Sequence, residues 1–331
     1  MTVTPWDDRV RRRLKLRDVD VLLAVVQTGS MGKAAAVLRM SQPAVSKAIA
    51  SLEQTLGVPL LERSRRGVEP TPYGLALIKR GVTVFDELRQ GVQDIAFLTD
   101  PTVGDIRVGG TDGMISTLIS PVVHQLSTQY PRMTFRVSVG DLRTLYRELE
   151  ARRVDIVVSR LLHSPPTEEY SAEILYEDTM VVVAGAGHPL ARRRKIEIAE
   201  LLDETWTFQP PETNFGAFAM EAFRAAGLAP PRITVATTSH TLHNELLATG
   251  RYLVMAPRLW ALQQRPNPSI KILPVTFPHT RHKVAIITLK NRSLSAATQF
   301  FVDRVRAITK AVDQQNNRPM SRRRNASSSP T

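Results

Sequence analysis

Residues 29–74 read GSMGKAAAVLRMSQPAVSKAIASLEQTLGVPLLERSRRGVEPTPYG, and the organisation of the chain follows from this stretch. Ser30 precedes a run, 31–39, whose Ala34, Ala35 and Ala36 are small enough for another helix to approach closely, with Leu38 as its apolar anchor. Ser41 stands where a hydroxyl accepts from the first N–H groups of a helix, and Pro43 lies in that first turn, where a missing N–H costs nothing. Val45, Ile49, Leu52 and Leu56 step by four, three and four along one buried face, and Gly57 stops the helix. Upstream, Val19, Leu22, Leu23 and Val26 make a first amphipathic helix that ends at Thr28 and Gly29. Three short helices with tight connections are therefore expected between residues 14 and 57.

Opposite the buried face of the third helix lie Gln42, Ser46 and Lys47. An amide pairs bidentately with adenine, a hydroxyl serves base or phosphate, and a lysine reaches guanine or the backbone, each good base contact giving about 1–3 kcal/mol of discrimination. A small helical unit also carries such groups simply as a solvated face. The neighbouring hairpin, 59–72, tips the balance: Arg63, Arg65 and Arg66 precede Gly67 between flanking prolines, as in a basic wing that lies against phosphates or the minor groove.

The stretch strongly resembles the LysR-type family of bacterial transcriptional regulators, whose pattern is a Gly-Ser, an Ala pair, Ser-Gln-Pro-Ala-x-Ser, a Leu-Glu pair, Leu-Gly, an Arg and Thr-x-x-Gly. The resemblance implies a winged helix-turn-helix over 14–72, with Ser41, Gln42, Pro43, Ser46 and Lys47 at the groove and Arg63 with Arg65 or Arg66 in the wing. Met31-Gly32 departs from the usual aromatic and hydroxyl residues at the second helix's start, and Leu61 replaces a common Phe. From 73 to 100 no proline interrupts an apolar pattern in which Ile78, Val82, Phe85, Val92 and Ala96 step by four and three, Arg89 breaking the seam. Gly81 and Gly91 each cost about 1 kcal/mol against alanine, so the helix needs another surface, either within its own domain or on a second copy. The family dimerises through this linker helix, which implies a dimer or tetramer reading a two-fold site.

Asp100-Pro101 is a natural joint, and beyond it strand and helix patterns alternate in two series: IRVGG, a helix over 116–129, TFRVSV, a helix over 142–151 and DIVVS, then MVVVAGA from 180 through RYLVMAP. HKVAIITL and a long helix over 295–312 close the chain's ordered part. Alternation at this spacing argues for βαβ units around a mostly parallel sheet. Residues 104–312 resemble the type 2 periplasmic-binding-protein fold that the family carries as its effector domain. The expected chain is thus α+β and multi-domain, a winged helix-turn-helix and linker helix followed by a two-lobed α/β domain.

Position along this resemblance implies cleft residues Thr111, Asp112, Gly113 and Ser116, then Gly140 and Asp141, then Ser159 and Arg160, with Asn214, Phe215, Thr238 and Ser239 from the second lobe. Ser116, Asn214 and Ser239 serve equally well as helix caps. A guanidinium after the buried run 155–159 suits a carboxylate, whereas Asp112 and Asp141 favour hydroxyl donors such as sugars. The ligand is a small polar metabolite, carboxylate or sugar-like.

Composition bounds the alternatives. The 331 residues hold 44 Lys+Arg against 31 Asp+Glu, a net charge of +13, and no cysteine, so disulfides, thiolate metal sites and thiol nucleophiles are excluded. Residues 314–331, with the run 322–324, read as a basic disordered tail. No apolar stretch is long enough for a membrane span or a secretory signal, so a cytoplasmic location is expected. VVVAGAGHPL at 181–190 has Leu190 where a dinucleotide loop needs its third glycine, and His240-x-x-His243 lacks a third zinc ligand. No enzyme activity, cofactor or metal is expected. The expected partners are double-stranded promoter DNA, a small-molecule effector, further copies of the chain and RNA polymerase.

Overall fold

A computed structural model describes residues 8–64, 67–162, 165, 167–263 and 270–316. Arg65, Arg66 and residues 317–331 lie outside the described residues, as does the side chain of Arg63. Two compact units divide within one long helix, the first Met1–Val92 and the second Gln93–Thr331.

The first unit contains α1 (Asp8–Arg13), α2 (Leu16–Thr28), α3 (Met31–Leu38), α4 (Gln42–Leu56), a hairpin of β1 (Leu61–Ser64) and β2 (Gly67–Pro70), and the start of α5 (Pro72–Thr99). Its core joins Val19, Leu22 and Val25 of α2, Ala34 and Ala35 of α3, Val45, Ile49 and Leu52 of α4, and Leu60 before the hairpin. The small alanines let α3 lie close against its neighbours. The seam expected on α5 is divided: Ile78 and Phe85 pack against this core, while the exposed apolar row is Val84, Leu88, Val92, Ile95 and Leu98.

The second unit is built on a nine-stranded sheet in the order β4-β3-β5-β11-β6-β9-β7-β8, with β10 also on β6. Its first lobe holds β3 (Gly104–Gly110), β4 (Met133–Val139), α8 (Leu142–Glu150) and β5 (Ile156–Leu161), with β3 parallel to both its neighbours. The helix expected over 116–129 is instead α6 (Asp112–Met114), a π-helical turn Ile115–Ile119, and α7 (Ser120–Gln129). Pro121 has no N–H to donate into the preceding turn and its ring crowds that turn, so the helix widens there before restarting.

The strand β6 (Tyr170–Gly185) crosses between lobes, its first part paired with β11 (Arg281–Leu289) and its second with β9 (Leu253–Pro257). Both pairings are antiparallel, so the sheet is mixed rather than mostly parallel: a strand that leaves one lobe and a strand that returns must run in opposite directions. The second lobe adds β7 (Trp206–Phe208), α9 (Asn214–Ala225), β8 (Ile233–Ala236), α10 (His240–Ala248), α11 (Arg258–Gln263) and β10 (Ile270–Ile272). Single 3-10 turns cover Pro189–Arg192 and Ile198–Leu201. The chain returns to the first lobe in α12 (Ala296–Asn316), which runs into the segment read as disordered; extending a formed helix by a turn is cheap.

Candidate functional site

In the first unit, the backbone N–H of Ala44 donates to Ser41 Oγ at 3.3 Å, which caps α4. Val45, Ala48, Ile49 and Leu52 turn into the core and leave Gln42, Pro43 and Lys47 exposed, with Ser46 half-buried. The exposed tip is therefore a direct consequence of the apolar spacing on the other face. Three residues not singled out from sequence fix the base of the hairpin, one from this helix and two from the start of α5 and the residue before it. Glu53 Oε1 accepts from the backbone N–H of Leu60 at 2.8 Å and of Leu61 at 3.3 Å. Thr71 donates through Oγ1 to the Pro59 carbonyl at 2.7 Å and accepts from Gly74 N–H at 3.0 Å. Gly74 is required because a Cβ there would collide with the Leu60 carbonyl oxygen. Their signal was the Leu-Glu and Thr-x-x-Gly of the family pattern, which gave residue types without roles.

In the second unit a pocket opens between the lobes, with a cavity volume of about 30 Å³. Arg160, at the end of β5, reaches it from the first lobe. Its guanidinium carbon stands 5.6 Å from the centre of the Phe215 ring, and its Nη2 lies over Gly113, where an added Cβ would approach to 2.6 Å. Arg160 Nε and Nη2 are both buried and make no hydrogen bond. Burial pushes its pKa down, Tyr176 and Asp178 acting in the opposite direction.

Register explains the polar neighbourhood. Val284 of β11 faces Arg160 on one side and Tyr176 on the other, and His282, two residues along, faces Asp178. Since directly opposed residues share a face and every second residue returns to it, Arg160, Tyr176, Asp178 and His282 form a polar patch on one face of the crossing strands. Tyr176 Oη and His282 Nε2 are buried without a partner, as is Thr111 Oγ1. Burial first, then the charge of Arg160, lowers the pKa of His282 to about 4. Asp178 accepts from the backbone N–H groups of Thr179 and Leu259, yet burial dominates and raises its pKa.

The second lobe contributes Thr207, Gln209, Phe215, His240, His243 and Trp260. His243 Nδ1 and Thr207 Oγ1 are 2.9 Å apart, and burial, followed by His240, lowers the pKa of His243 to about 4. His240 Nε2 lies 3.6 Å from Asp112 Oδ2 across the opening. Burial lowers the pKa of His240, with Asp112 opposing and Arg160 assisting.

The candidates named from sequence fall at different distances from this pocket. Arg160 and Phe215 line it, Gly113 and Asp112 touch Arg160 and His240, and Thr111 precedes α6 without a side-chain cap bond. Ser116 donates to the Gly113 carbonyl and Ser159, buried, to that of Arg160. Gly140 follows β4, and Asp141 caps α8 by accepting from Thr144 N–H at 2.7 Å, which lowers its pKa. Thr213, rather than Asn214, caps α9, and Ser239 caps α10, beside exposed Thr238. Sequence reasoning missed His240 and His243, whose i, i+3 spacing reads as a metal pair, and Thr207, Gln209 and Trp260, which carry no local signal. Among the described residues no group of three or more His, Asp or Glu is placed to hold a metal ion, and no helix is long and apolar enough to cross a membrane.

Comparison with known proteins follows this division. A model of the bacterial regulatory helix-turn-helix proteins of the lysR family matches residues 16–75, and a model of the LysR substrate binding domain matches residues 99–309. The HTH-type transcriptional regulator GbpR of Azospirillum brasilense is 29% identical over 301 residues, 91% of this chain and 88% of the relative. The transcriptional dual regulator GltC of Bacillus subtilis is 26% identical over 264 residues, 78% of this chain and 86% of the relative. Among solved structures, a full-length OxyR variant from Pseudomonas aeruginosa superposes with a TM-score of 0.66 at 21% identity, covering 88% of this chain and 97% of the other. Full-length CbnR complexed with its target DNA gives a TM-score of 0.52 at 21% identity, covering 89% and 100%.

Proposed function

The chain belongs to the LysR family of DNA-binding transcriptional regulators, a family of regulators and not of enzymes, and from that premise we propose that it reads a two-fold promoter site as a dimer or tetramer under the control of a small polar metabolite, carboxylate or sugar-like, held between the lobes of its effector domain. It acts in the cytoplasm, with RNA polymerase as the partner that its promoter-bound form engages. Gln42, Ser46 and Lys47 meet base edges while Arg63, Arg65 and Arg66 meet phosphates. The exposed row Val84, Leu88 and Val92 on α5 packs against the same helix of a second copy.

The observation that carries the effector reading is Arg160: a buried guanidinium with two nitrogens, Nε and Nη2, unsatisfied, in the lining of an interlobe pocket. Buried donors are normally paired, because leaving one unmade costs about 1–3 kcal/mol and more for a charged group. A ligand that supplies the missing acceptors also bridges the lobes, and its differential affinity for their arrangements shifts the population that binds DNA. The test is selection of duplexes by the full chain from a random pool, followed by rebinding of the winners across a metabolite panel. A dyad-symmetric consensus whose affinity changes with at least one metabolite is the expected result; a chain that enriches no sequence refutes the assignment.

A further inference from the structure

The interlobe pocket contains the information needed to choose between the two ligand classes. Its polar groups are mostly engaged with one another. Thr207 and His243 share a hydrogen bond at 2.9 Å, and His240 faces Asp112 at 3.6 Å. A sugar buried here would have to satisfy several hydroxyls, each of which is costly to desolvate without a partner. Of the groups lining the pocket, apart from half-buried Gln209, Arg160 stands open with two buried nitrogens lacking acceptors, and beside it Thr111 Oγ1, Tyr176 Oη and His282 Nε2 are buried without a partner.

The remaining wall is apolar. Phe208 and the strand Leu253–Pro257 are buried, Trp260 closes one side, and the Phe215 ring stands over the guanidinium. One unsatisfied cation facing an apolar, partly aromatic chamber is complementary to one anionic group on an apolar body. Resting on the effector reading above, we infer that the ligand is a monocarboxylate with an apolar, ring-sized body, its carboxylate on Arg160 and its body against Phe215 and Trp260. A planar carboxylate takes both open N–H groups of a guanidinium in the bidentate arrangement. A phosphate or dicarboxylate brings a second negative charge, which the single guanidinium of Arg160 does not balance. The carboxylate also offsets the charge of Arg160, which otherwise disfavours protonation of His240 beside Asp112.

The experiment is calorimetric titration of the full chain with matched pairs of monocarboxylates and their primary amides, from butyrate through benzoate to naphthoate, alongside glucose and gluconate. The best acid is expected to bind at least about 30-fold tighter than its own amide, about 2 kcal/mol, and to bind better than gluconate. Arg160→Gln is expected to erase the difference between acid and amide while melting no lower than the wild type. Should that variant melt early, Arg160→Lys replaces it, keeping the charge and losing the paired donors, with an expected loss of at least tenfold in acid affinity. Amides binding as well as acids, or acid affinity unchanged in Arg160→Gln, overturns the inference. Glucose or gluconate as the best ligand overturns it and leaves the effector reading standing, whereas no binding by any compound of either class counts against both.

Discussion

Asp155 is the residue whose loss tests the architecture behind the interlobe pocket most severely. It opens the buried run that becomes β5, at whose other end Arg160 stands, and it accepts from two guanidinium groups. Arg292 Nη2 donates to Asp155 Oδ1 at 2.5 Å, and Arg107 Nη2 donates to the same oxygen at 2.8 Å. Side-chain exposure is 4% for Asp155, 0% for Arg292 and 14% for Arg107. Asp155→Asn preserves shape but removes the charge, leaving buried Arg292, which also donates to the Val154 carbonyl at 2.7 Å, without its carboxylate. Breaking a buried ion pair by removing one partner costs about 3–5 kcal/mol. For a unit of this size, about 2–4 °C per kcal/mol gives a fall of about 6–20 °C in melting temperature. Thermal unfolding followed through the buried Trp206 and Trp260 reports it. The double variant Asp155→Asn with Arg292→Met is expected to melt above Asp155→Asn alone, because it removes the uncompensated cation as well. A single variant within about 2 °C of wild type, or a double variant whose loss is the sum of the two singles, refutes the reasoning.

Other outcomes follow from the same geometry. Gln42→Ala is expected to relax base preference at one operator position by about 5- to 150-fold, while Arg65→Ala weakens binding to all sequences and reduces the salt slope by about one; unchanged selectivity in Gln42→Ala, measured on a set of single-base operator variants, removes α4 from the groove. Glu53→Ala should cost the first unit about 1.5–3 kcal/mol in urea denaturation, and Glu53→Gln, which keeps an acceptor for Leu60 N–H, distinctly less; equal losses would deny the hydrogen bond its role. His243 and His282 have pKa values near 4 in the folded chain against 6.5 for the ordinary group, so the unfolded chain binds more protons between those limits. Their contribution to stability is complete above pH 6.5 and is lost as pH falls toward 4. His282→Gln should flatten that part of the melting-temperature profile, and a profile identical to wild type would show that His282 is not the titrating group.

How much of this was legible beforehand depends on the range of the interactions. Caps and stops act within a turn, so Ser41, Pro43 and Gly57 placed α4 from sequence, and its apolar spacing placed Gln42 and Lys47 outside. The α5 face was misjudged at Ile78 and Phe85, because a heptad-like spacing does not say which of two adjacent apolar rows an internal core will claim. Pro121 was readable as a break in the helix over 116–129 and was passed over for the strength of the surrounding pattern. In the effector domain, Arg160 at the end of β5 and Phe215 at the start of α9 line the interlobe pocket, and Gly113 lies against Arg160. Gly140 and Asp141, with Ser239, occupy equally loop-like positions and are engaged in packing or helix caps, a distinction that loop position alone does not make.

The amino-acid sequence alone determined the winged helical unit, the long helix and the two-lobed plan, because each is encoded by periodicity and by end signals that operate over a few residues. It also placed a guanidinium at the end of β5. Only the tertiary structure decided that Arg160 is buried without acceptors and meets Phe215, a residue 55 positions away, or that Asp155 is held by Arg292 across 137 positions. Whether a charged side chain finds a partner is settled by contacts between distant strands and helices. Local patterns record that a charge is present; the fold determines whether it is satisfied.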